Sequence, residues 1–169
     1  EETTTLTLIP LVRKATGLPL LAAGGIASGQ SMLAAMVLGA DGVQIGSRFA
    51  ISEESSAHPA FKKRVAEIGE GGTKLALKKL APVRLIKNAF FDLVNEAETK
   101  GASAEDLLKL LGRGRAKKGI FEGDLDEGEL EIGQVSAQID AVLPVNQIMD
   151  QLLNEYNEAK NQIFKRNKV

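Results

Sequence analysis

The residues best placed to do chemistry are glycines at the ends of two short apolar runs. The first run ends in Ala22-Ala23-Gly24-Gly25, and the second ends in Gln44-Ile45-Gly46-Ser47. Backbone N–H groups can approach a phosphate closely only where no Cβ intervenes, and a following helix N-terminus adds a favourable dipole. The two turns together therefore predict a phosphate-binding site. Its expected members are Gly24, Gly25, Gly46 and Ser47.

The alternative is that these glycines serve only the tight turns that short connections between strands and helices require. One glycine pair alone would be explained in that way. Two such turns in succession, each directly after an apolar run, favour the phosphate site.

Gln44 is the second candidate for contact with a ligand. If Val43 and Ile45 face the outer helices, the alternation along a strand sends Gln44 to the opposite face, into the interior of a barrel. An amide there could bond to a cofactor ring or merely to a neighbouring side chain, and the sequence leaves both possibilities open.

The elements that must position these residues alternate between helix and strand. Thr5 to Ala15 suits a helix that starts near Pro10, and residues 18–23 form the continuous apolar run of a strand buried on both faces. Ser28 is placed to cap the next helix, and residues 42–46 form a second short strand. This order predicts an α/β fold with parallel strands.

Two strands are too few for an independent parallel sheet, whereas a closed TIM barrel needs eight. We therefore expect residues 1–51 to be the last βα units of a (β/α)8 TIM barrel within a longer protein. Residues 52–143 are expected to be a mostly helical insert, with helices from near Pro59, over 84–98 and after Ser103; residues 73–80 fit either strand or helix. Residues 144–169 read as a C-terminal helix that packs on the barrel or on a partner.

Composition excludes several classes of function. The 169 residues carry a net charge of -1, which removes the electrostatic case for binding nucleic acid or a membrane surface. No apolar run approaches the length of a membrane span. The absence of Cys excludes disulfides, thiolate metal sites and Cys nucleophiles, and it fits a reducing, cytoplasmic location.

We expect no metal site and no catalytic role for the single histidine. The acidic residues of 124–131 lack the ligand spacing of a calcium loop, so a solvated turn explains them better. His58 precedes Pro59 at a predicted helix start, where a capping role is favoured over that of a base.

Several stretches of the chain, in order, resemble the nitronate monooxygenase (2-nitropropane dioxygenase) family. The FMN-dependent enoyl-acyl carrier protein reductases are similar and share the same motifs. The stretches that carry the resemblance are Leu18-Pro-Leu-Leu-Ala-Ala-Gly-Gly-Ile-Ala-Ser-Gly29, Leu38-Gly-Ala-Asp-Gly-Val-Gln-Ile-Gly-Ser-Arg-Phe49, Glu53-Glu-Ser55, His58-Pro59, Pro82-Val-Arg-Leu-Ile-Lys-Asn88, Glu122-Gly-Asp124 and Gly133-Gln134.

This resemblance implies an FMN-binding barrel in which the two glycine turns hold the flavin phosphate. The family usually has Thr at the position of Ser47, and both residues supply a hydroxyl. Ala23 and Gln44 complete the expected cofactor-binding set. Gln134 would either close over the cofactor or simply follow a helix-start turn.

The resemblance places no catalytic residue in this chain. The family's catalytic His lies in a Gly-Gly-His-x-Gly stretch just before the segment that matches Glu1 to Thr4. We therefore expect that His upstream of Glu1, and we expect this chain alone to be inactive.

The implied activity is oxidation of a nitronate or nitroalkane by dioxygen through FMN. The alternative is reduction of an enoyl thioester by NAD(P)H through the same flavin. An alternative of another class is a barrel isomerase or lyase that binds a phosphorylated substrate without flavin. The apolar stripe from Val145 to Ile163 could cover its own chain or a second subunit of a homodimer, and its own chain is favoured.

Overall fold

The computed structural model describes residues 3–166, so residues 1–2 and 167–169 of the predicted first and last segments lie outside the described residues. None of the described helices combines the length and the apolar character needed to cross a membrane. The elements in order are α1 (Thr5–Ala15), β1 (Leu21–Ala23), α2 (Gly29–Val37), β2 (Gly42–Gln44), α3 (Ser47–Ala50), α4 (Pro59–Ala66), β3 (Thr73–Ala76), β4 (Val83–Ile86), α5 (Ala89–Thr99), α6 (Ala104–Leu111), a π-helical turn (Lys117–Phe121), a 3-10 turn (Gln134–Gln138) and α7 (Val145–Arg166).

The first part of the chain is the predicted α/β unit. Strands β1 and β2 pair in parallel, with Ala23 opposite Gln44, and helices α1 and α2 cover one face of the pair. Apolar side chains from all these elements form one small core, and its buried members are Ile9, Ala22, Ile26, Ala35 and Ala40. Ser28 caps α2 by accepting from the N–H of Ser31, as predicted.

The start of α1 differs from the prediction. The helix begins at Thr5 rather than near Pro10, which lies inside it. Thr4 supplies the first carbonyl, which accepts from the N–H groups of Thr7 and Leu8. A proline at this depth removes one intrahelical hydrogen bond, and the surrounding turns outweigh that loss.

The predicted helix over 84–98 is wrong in its first part. Residues 83–86 form strand β4, which pairs antiparallel with β3, and helix α5 begins only at Ala89. Asn88 marks this boundary because its side-chain oxygen accepts from the N–H of Phe91 and so caps α5. The insert therefore contains a two-stranded hairpin beside its helices, and residues 73–76 take the strand alternative.

The insert has two further cores of buried apolar residues. One surrounds Phe61, Val65 and Ile86, while the other joins the hairpin to α5 and α6 through Phe90 and Leu107. Ser103 and Asp106 form a capping box at the start of α6, the helix predicted after Ser103. The hairpin belongs to both cores, since Leu85 and Ile86 are both buried.

Helix α7 packs on α2 of its own chain. Ile148 and Leu152 are buried on its inner face. The two helices touch at Gly29, where an added Cβ would lie 2.1 Å from the backbone nitrogen of Tyr156. The predicted apolar stripe thus covers its own chain along this face, while Met149, Leu153 and Ile163 on its flank stay exposed.

Candidate functional site

The two predicted glycine turns leave the sheet at the same edge. Because Ala23 and Gln44 are paired partners in parallel strands, the residues that follow each strand are neighbours in space. Gly24, Gly25 and Gly46 are all exposed there. The structure therefore brings together the two turns that the sequence assigned to one site.

The first turn requires glycine. Gly24 and Gly25 have φ angles of +94° and +74°, a region that residues with a Cβ rarely adopt. The turn is anchored by Thr5, whose hydroxyl donates to the carbonyl of Gly24 at 3.0 Å. An added Cβ at Gly25 would have no protein atom within 4 Å, so the space beside it is open.

The second turn is open as well, although its backbone is ordinary. Gly46 has a φ of -96° and precedes α3, and an added Cβ there would have no protein atom within 4 Å. The N–H groups of Gly25 and Gly46 donate to no backbone carbonyl of the described residues. Both turns thus combine a backbone donor that has no backbone acceptor among the described residues with open space at the Cβ position, and an anion site needs both features.

Ser47 is held by the insert. Its hydroxyl oxygen accepts from the N–H of Gly133 at 3.2 Å, so its own proton stays available for a ligand oxygen. The contact is tight: a Cβ at Gly133 would lie 2.7 Å from the Ser47 oxygen. The turn at residues 133–134 therefore fixes the hydroxyl of the candidate site.

Gln44 lies on the face of the sheet that the helices do not cover. Val43 and Ile45 pack into the core beneath α1 and α2, whereas Gln44 is exposed. Ala23 is also exposed, beside Gln44 in the register. This alternation is the arrangement that strand geometry predicts for a residue facing a barrel interior.

Two clefts meet at Gly25. The larger, of about 680 Å³, extends along α1 and α2, and the smaller, of about 320 Å³, lies beneath the loop of residues 69–73. Gly25, Arg84 and Gln134 line both clefts. Gln134 thus lies beside the first glycine turn. Arg84 is a residue that sequence reasoning missed, because that stretch was assigned to a helix.

Helix α7 contacts residues that directly follow the two glycine turns. Arg48 donates to the carbonyl of Ala27, which follows the first turn, and to the side chain of Gln151 on α7. Glu155, also on α7, accepts from the N–H of Gly29 at 2.7 Å. The carboxylate of Glu155 thus already binds the first N–H of α2. At the strand ends, the N–H groups of Gly25 and Gly46 remain without a backbone acceptor in the described part of the chain. The spacing of these residues in the sequence gave no sign of these contacts.

Residues 53–62, which include two of the family stretches, have structural roles. Glu54 accepts from the backbone N–H of Val145 through both carboxylate oxygens, at 3.0 and 2.9 Å, and so caps the start of α7. His58 caps α4 through Nδ1, which accepts from the N–H of Ala60, as predicted. The ammonium group of the buried Lys62 donates to the carbonyls of Glu53 and Ser55.

Five carboxyl groups have pKa values shifted from the ordinary range, and two of them, Asp41 and Glu129, bear on how the elements are held together. The N–H of Leu20, and secondarily the guanidinium of Arg13, lower the pKa of Asp41, which ties the strand starts to α1. Burial, and secondarily the charge of Glu131, raise the pKa of Glu129 in the insert. Neither group lines the clefts at Gly25.

Parallel strands covered by helices, with glycine turns at their carboxyl ends, define an α/β fold of the type that places its ligand site at that edge. Solved structures agree with this class. FabK from Thermotoga maritima superposes with a TM-score of 0.87 and 34% identity, covering 100% of this chain and 53% of its own. Nitroalkane oxidase from Streptomyces ansochromogenes superposes with a TM-score of 0.77 and 28% identity, covering 94% and 45% respectively. The fold resembles that of TIM-barrel enzymes.

The chain belongs to the nitronate monooxygenase family, whose sequence model matches residues 1–155. A probable nitronate monooxygenase from Bacillus subtilis is 34% identical over 149 residues, which are 88% of this chain and 43% of that relative. A probable nitronate monooxygenase from Staphylococcus aureus is 31% identical over 157 residues, 91% of this chain and again 43% of the relative. The chain thus spans less than half of the curated relatives it matches.

Proposed function

We propose that this chain forms the flavin-phosphate side of an FMN-dependent oxidoreductase of the nitronate monooxygenase type. In this proposal β1 and β2 are the last two strands of a (β/α)8 barrel. The observation that carries the proposal is the pair of neighbouring turns at Gly25 and Gly46, with unpaired N–H groups and open space where a side chain would stand.

The residues present fit the phosphate of FMN. A phosphate dianion needs several converging donors, and backbone N–H groups at side-chain-free positions provide them without steric cost. The Ser47 hydroxyl adds one donor. It accepts from the N–H of Gly133, so that contact does not use its proton. Hydrogen bonds to a charged group are worth more than neutral ones, so a few such donors suffice to fix one end of the nucleotide.

The remaining predicted residues are assigned to the flavin and its surroundings. Ala23 and Gln44, on the face away from the helices, are placed to line the barrel interior where the flavin ring would lie. Gln134 borders both clefts next to Gly25 and is placed to close over the bound nucleotide. Once bound, the flavin supplies the redox chemistry, while this chain binds and orients it.

The substrate in this proposal is a nitronate that is oxidised with dioxygen as the electron acceptor. His58, the single histidine of the chain, is committed to capping α4 and lines neither cleft. The family resemblance implies that proton removal belongs to a histidine that precedes the segment matched here, and we adopt that role for it. Reduction of an enoyl thioester by NAD(P)H is the second candidate, supported by the similarity to FabK.

The experiment uses the full-length protein that contains this chain. Purified protein should release FMN on denaturation, and it should consume oxygen when propionate-3-nitronate is added. NADH oxidation that depends on a crotonyl thioester, without nitronate oxidation, would instead establish the reductase. A purified protein that neither contains flavin nor binds added FMN would contradict both candidates and favour a barrel that binds a phosphorylated substrate.

A further inference from the structure

The larger cleft beside Gly25 has an unusual chemical lining. Its described wall consists of glycines, hydroxyl-bearing Thr and Ser residues, Gln134 and apolar side chains. Arg84 contributes the one charged side chain among those lining residues. The hydroxyls of Thr5 and Ser31 donate within the protein, so the guanidinium and the N–H of Gly25 are the groups of this cleft of about 680 Å³ that suit an anion.

Arg84 has few partners within the protein. One of its terminal nitrogens lies 3.5 Å from the carbonyl and from the hydroxyl oxygen of Thr73, which are contacts at the outer limit of a hydrogen bond. Among the described residues no carboxylate lies within ion-pair distance of it. A guanidinium carries five donors in a rigid fork, so most of its capacity is unused although the residue is half-buried.

The base of this side chain is firmly positioned. Arg84 lies in β4 opposite Leu75, and its carbonyl accepts from the N–H of Ile132 at 3.1 Å. The same residue therefore borders Gly25 on one side and the turn at residues 133–134 on the other. A fixed cation with free donors at the junction of two clefts is suited to bind a ligand rather than to stabilise the hairpin.

We propose that Arg84 binds an oxyanion of the ligand at the Gly25 end of the larger cleft. The inference rests on the proposed function, because it places that oxyanion beside the flavin-phosphate turns. The anion has two sources with the same chemistry: the phosphate of the flavin nucleotide, or a carboxylate or phosphate on the second substrate. The carboxylate of Glu70 lines the smaller cleft only, where it would repel an anion. We therefore place the anion in the larger cleft.

The test compares Arg84→Gln, Arg84→Lys and the control Lys87→Gln in the full-length protein. Lys87 follows the same strand but lines neither cleft, so its neutralisation changes charge without touching the proposed site. Three quantities are measured: dissociation constants for FMN and riboflavin, the KM ratio of propionate-3-nitronate to ethylnitronate, and the thermal shift caused by inorganic phosphate without flavin. Circular dichroism checks that each variant is folded.

For Arg84→Gln we expect a loss of about ten-fold or more in one of two preferences, that for FMN over riboflavin or that for propionate-3-nitronate over ethylnitronate. A loss of this size corresponds to one hydrogen bond to a charged group. A reduced preference for FMN over riboflavin identifies the flavin phosphate, and a reduced preference for the carboxylated nitronate identifies the second substrate. In either case inorganic phosphate should stabilise the wild type and Lys87→Gln more than Arg84→Gln. Arg84→Lys should be intermediate, since it keeps the charge and loses the fork.

The proposal is overturned if Arg84→Gln matches the wild type in both discriminations and in the phosphate shift. Wild-type protein that still binds FMN would in that case leave the proposed function intact. If instead the wild type binds no flavin, the proposed function fails, and the phosphate shift alone decides whether Arg84 binds an oxyanion.

Discussion

At the scale of single residues, Ser47 is the point where the insert reaches the strand ends. Its hydroxyl oxygen is occupied by the N–H of Gly133, and that contact leaves no room for a side chain at position 133. The ordinary φ of Gly133, -68°, shows that its backbone would accept another residue. The need for glycine at this position therefore comes from Ser47 and not from the turn.

This contact predicts a non-additive pair of substitutions. Ser47→Ala should weaken FMN binding about ten-fold by removing a donor to the phosphate, and Gly133→Ala should weaken it at least as much by displacing Ser47. In the double variant the clash disappears, because the next atoms, in Val135 and in the Cβ of Ser47, lie at 3.9 and 4.0 Å from the added Cβ. The double variant should thus bind FMN about as well as Ser47→Ala alone, measured by flavin fluorescence. Effects that add in full would show that the two residues act independently.

Glu129 predicts a pH dependence of stability. Burial, and secondarily the charge of Glu131, raise its pKa above the ordinary 4.5, so the folded state holds the proton more tightly than the unfolded state does. This contribution is present below the ordinary pKa and is lost as the pH rises through the raised value. Glu129→Gln should therefore gain stability relative to the wild type as the pH rises from 4 to 8, measured by urea unfolding.

The control for this prediction is Glu131→Gln. Removing the neighbouring charge should lower the pKa of Glu129 and flatten the pH dependence without abolishing it, since burial remains. Parallel stability curves for the wild type and Glu129→Gln across this range would contradict the assignment.

At the scale of elements, helix α7 connects the insert to the glycine turns. Its start is capped by Glu54, and farther along it Gln151 and Glu155 bond to Arg48 and Gly29. Each of these contacts joins α7 to a residue near the strand ends or to the loop that follows them. The helix is therefore placed to keep both turns in register.

We expect Glu54→Ala to lower the stability of the protein, and we expect Glu53→Ala to leave it unchanged. Removing the carboxylate leaves the first N–H of α7 without its partner, which costs about 1 kcal/mol for a helix cap. Glu53→Ala is the matched control, because the Glu53 contacts are made by its backbone, whose N–H donates to the carbonyl of Leu143. Chemical denaturation of both variants should separate them, and equal losses would show that Glu54 has no capping role.

The sequence predicted the elements that follow local rules and missed those that depend on distant partners. Caps at Ser28 and Ser103 and the parallel pairing of the first two strands were all predictable, because each depends on residues close in sequence. Strand β4 was not, since its apolar residues fit a helix equally well until β3 pairs with it and Glu131 bridges to Leu85. Arg84 was missed together with that strand.

The candidate site divides in the same way. The glycine turns could be found from the sequence because a missing side chain after an apolar run is a local signal. The supporting contacts of Gly133 with Ser47, and of α7 with Arg48, join residues far apart in the chain. No spacing rule predicts such contacts, so only the folded structure reveals them.

At the scale of the whole molecule, the α/β unit supplies the turns while the insert and α7 hold them. The chain spans 43% of its Bacillus subtilis relative. In the proposed enzyme, the other barrel strands and the catalytic base come from outside this chain. In the proposed enzyme this chain contributes the strand-end turns that anchor the phosphate of FMN.

The most direct measurement is the FMN affinity of Gly46→Val in the full-length protein, with Gly17→Val as the control. An added Cβ meets no protein atom within 4 Å at either position, and neither glycine has a positive φ, so both variants should fold. We predict that Gly46→Val loses at least ten-fold in FMN affinity while its affinity for riboflavin, which lacks the phosphate, changes little. Gly17→Val should bind both flavins as the wild type does. A folded Gly46→Val protein that retains FMN at full affinity would contradict the account.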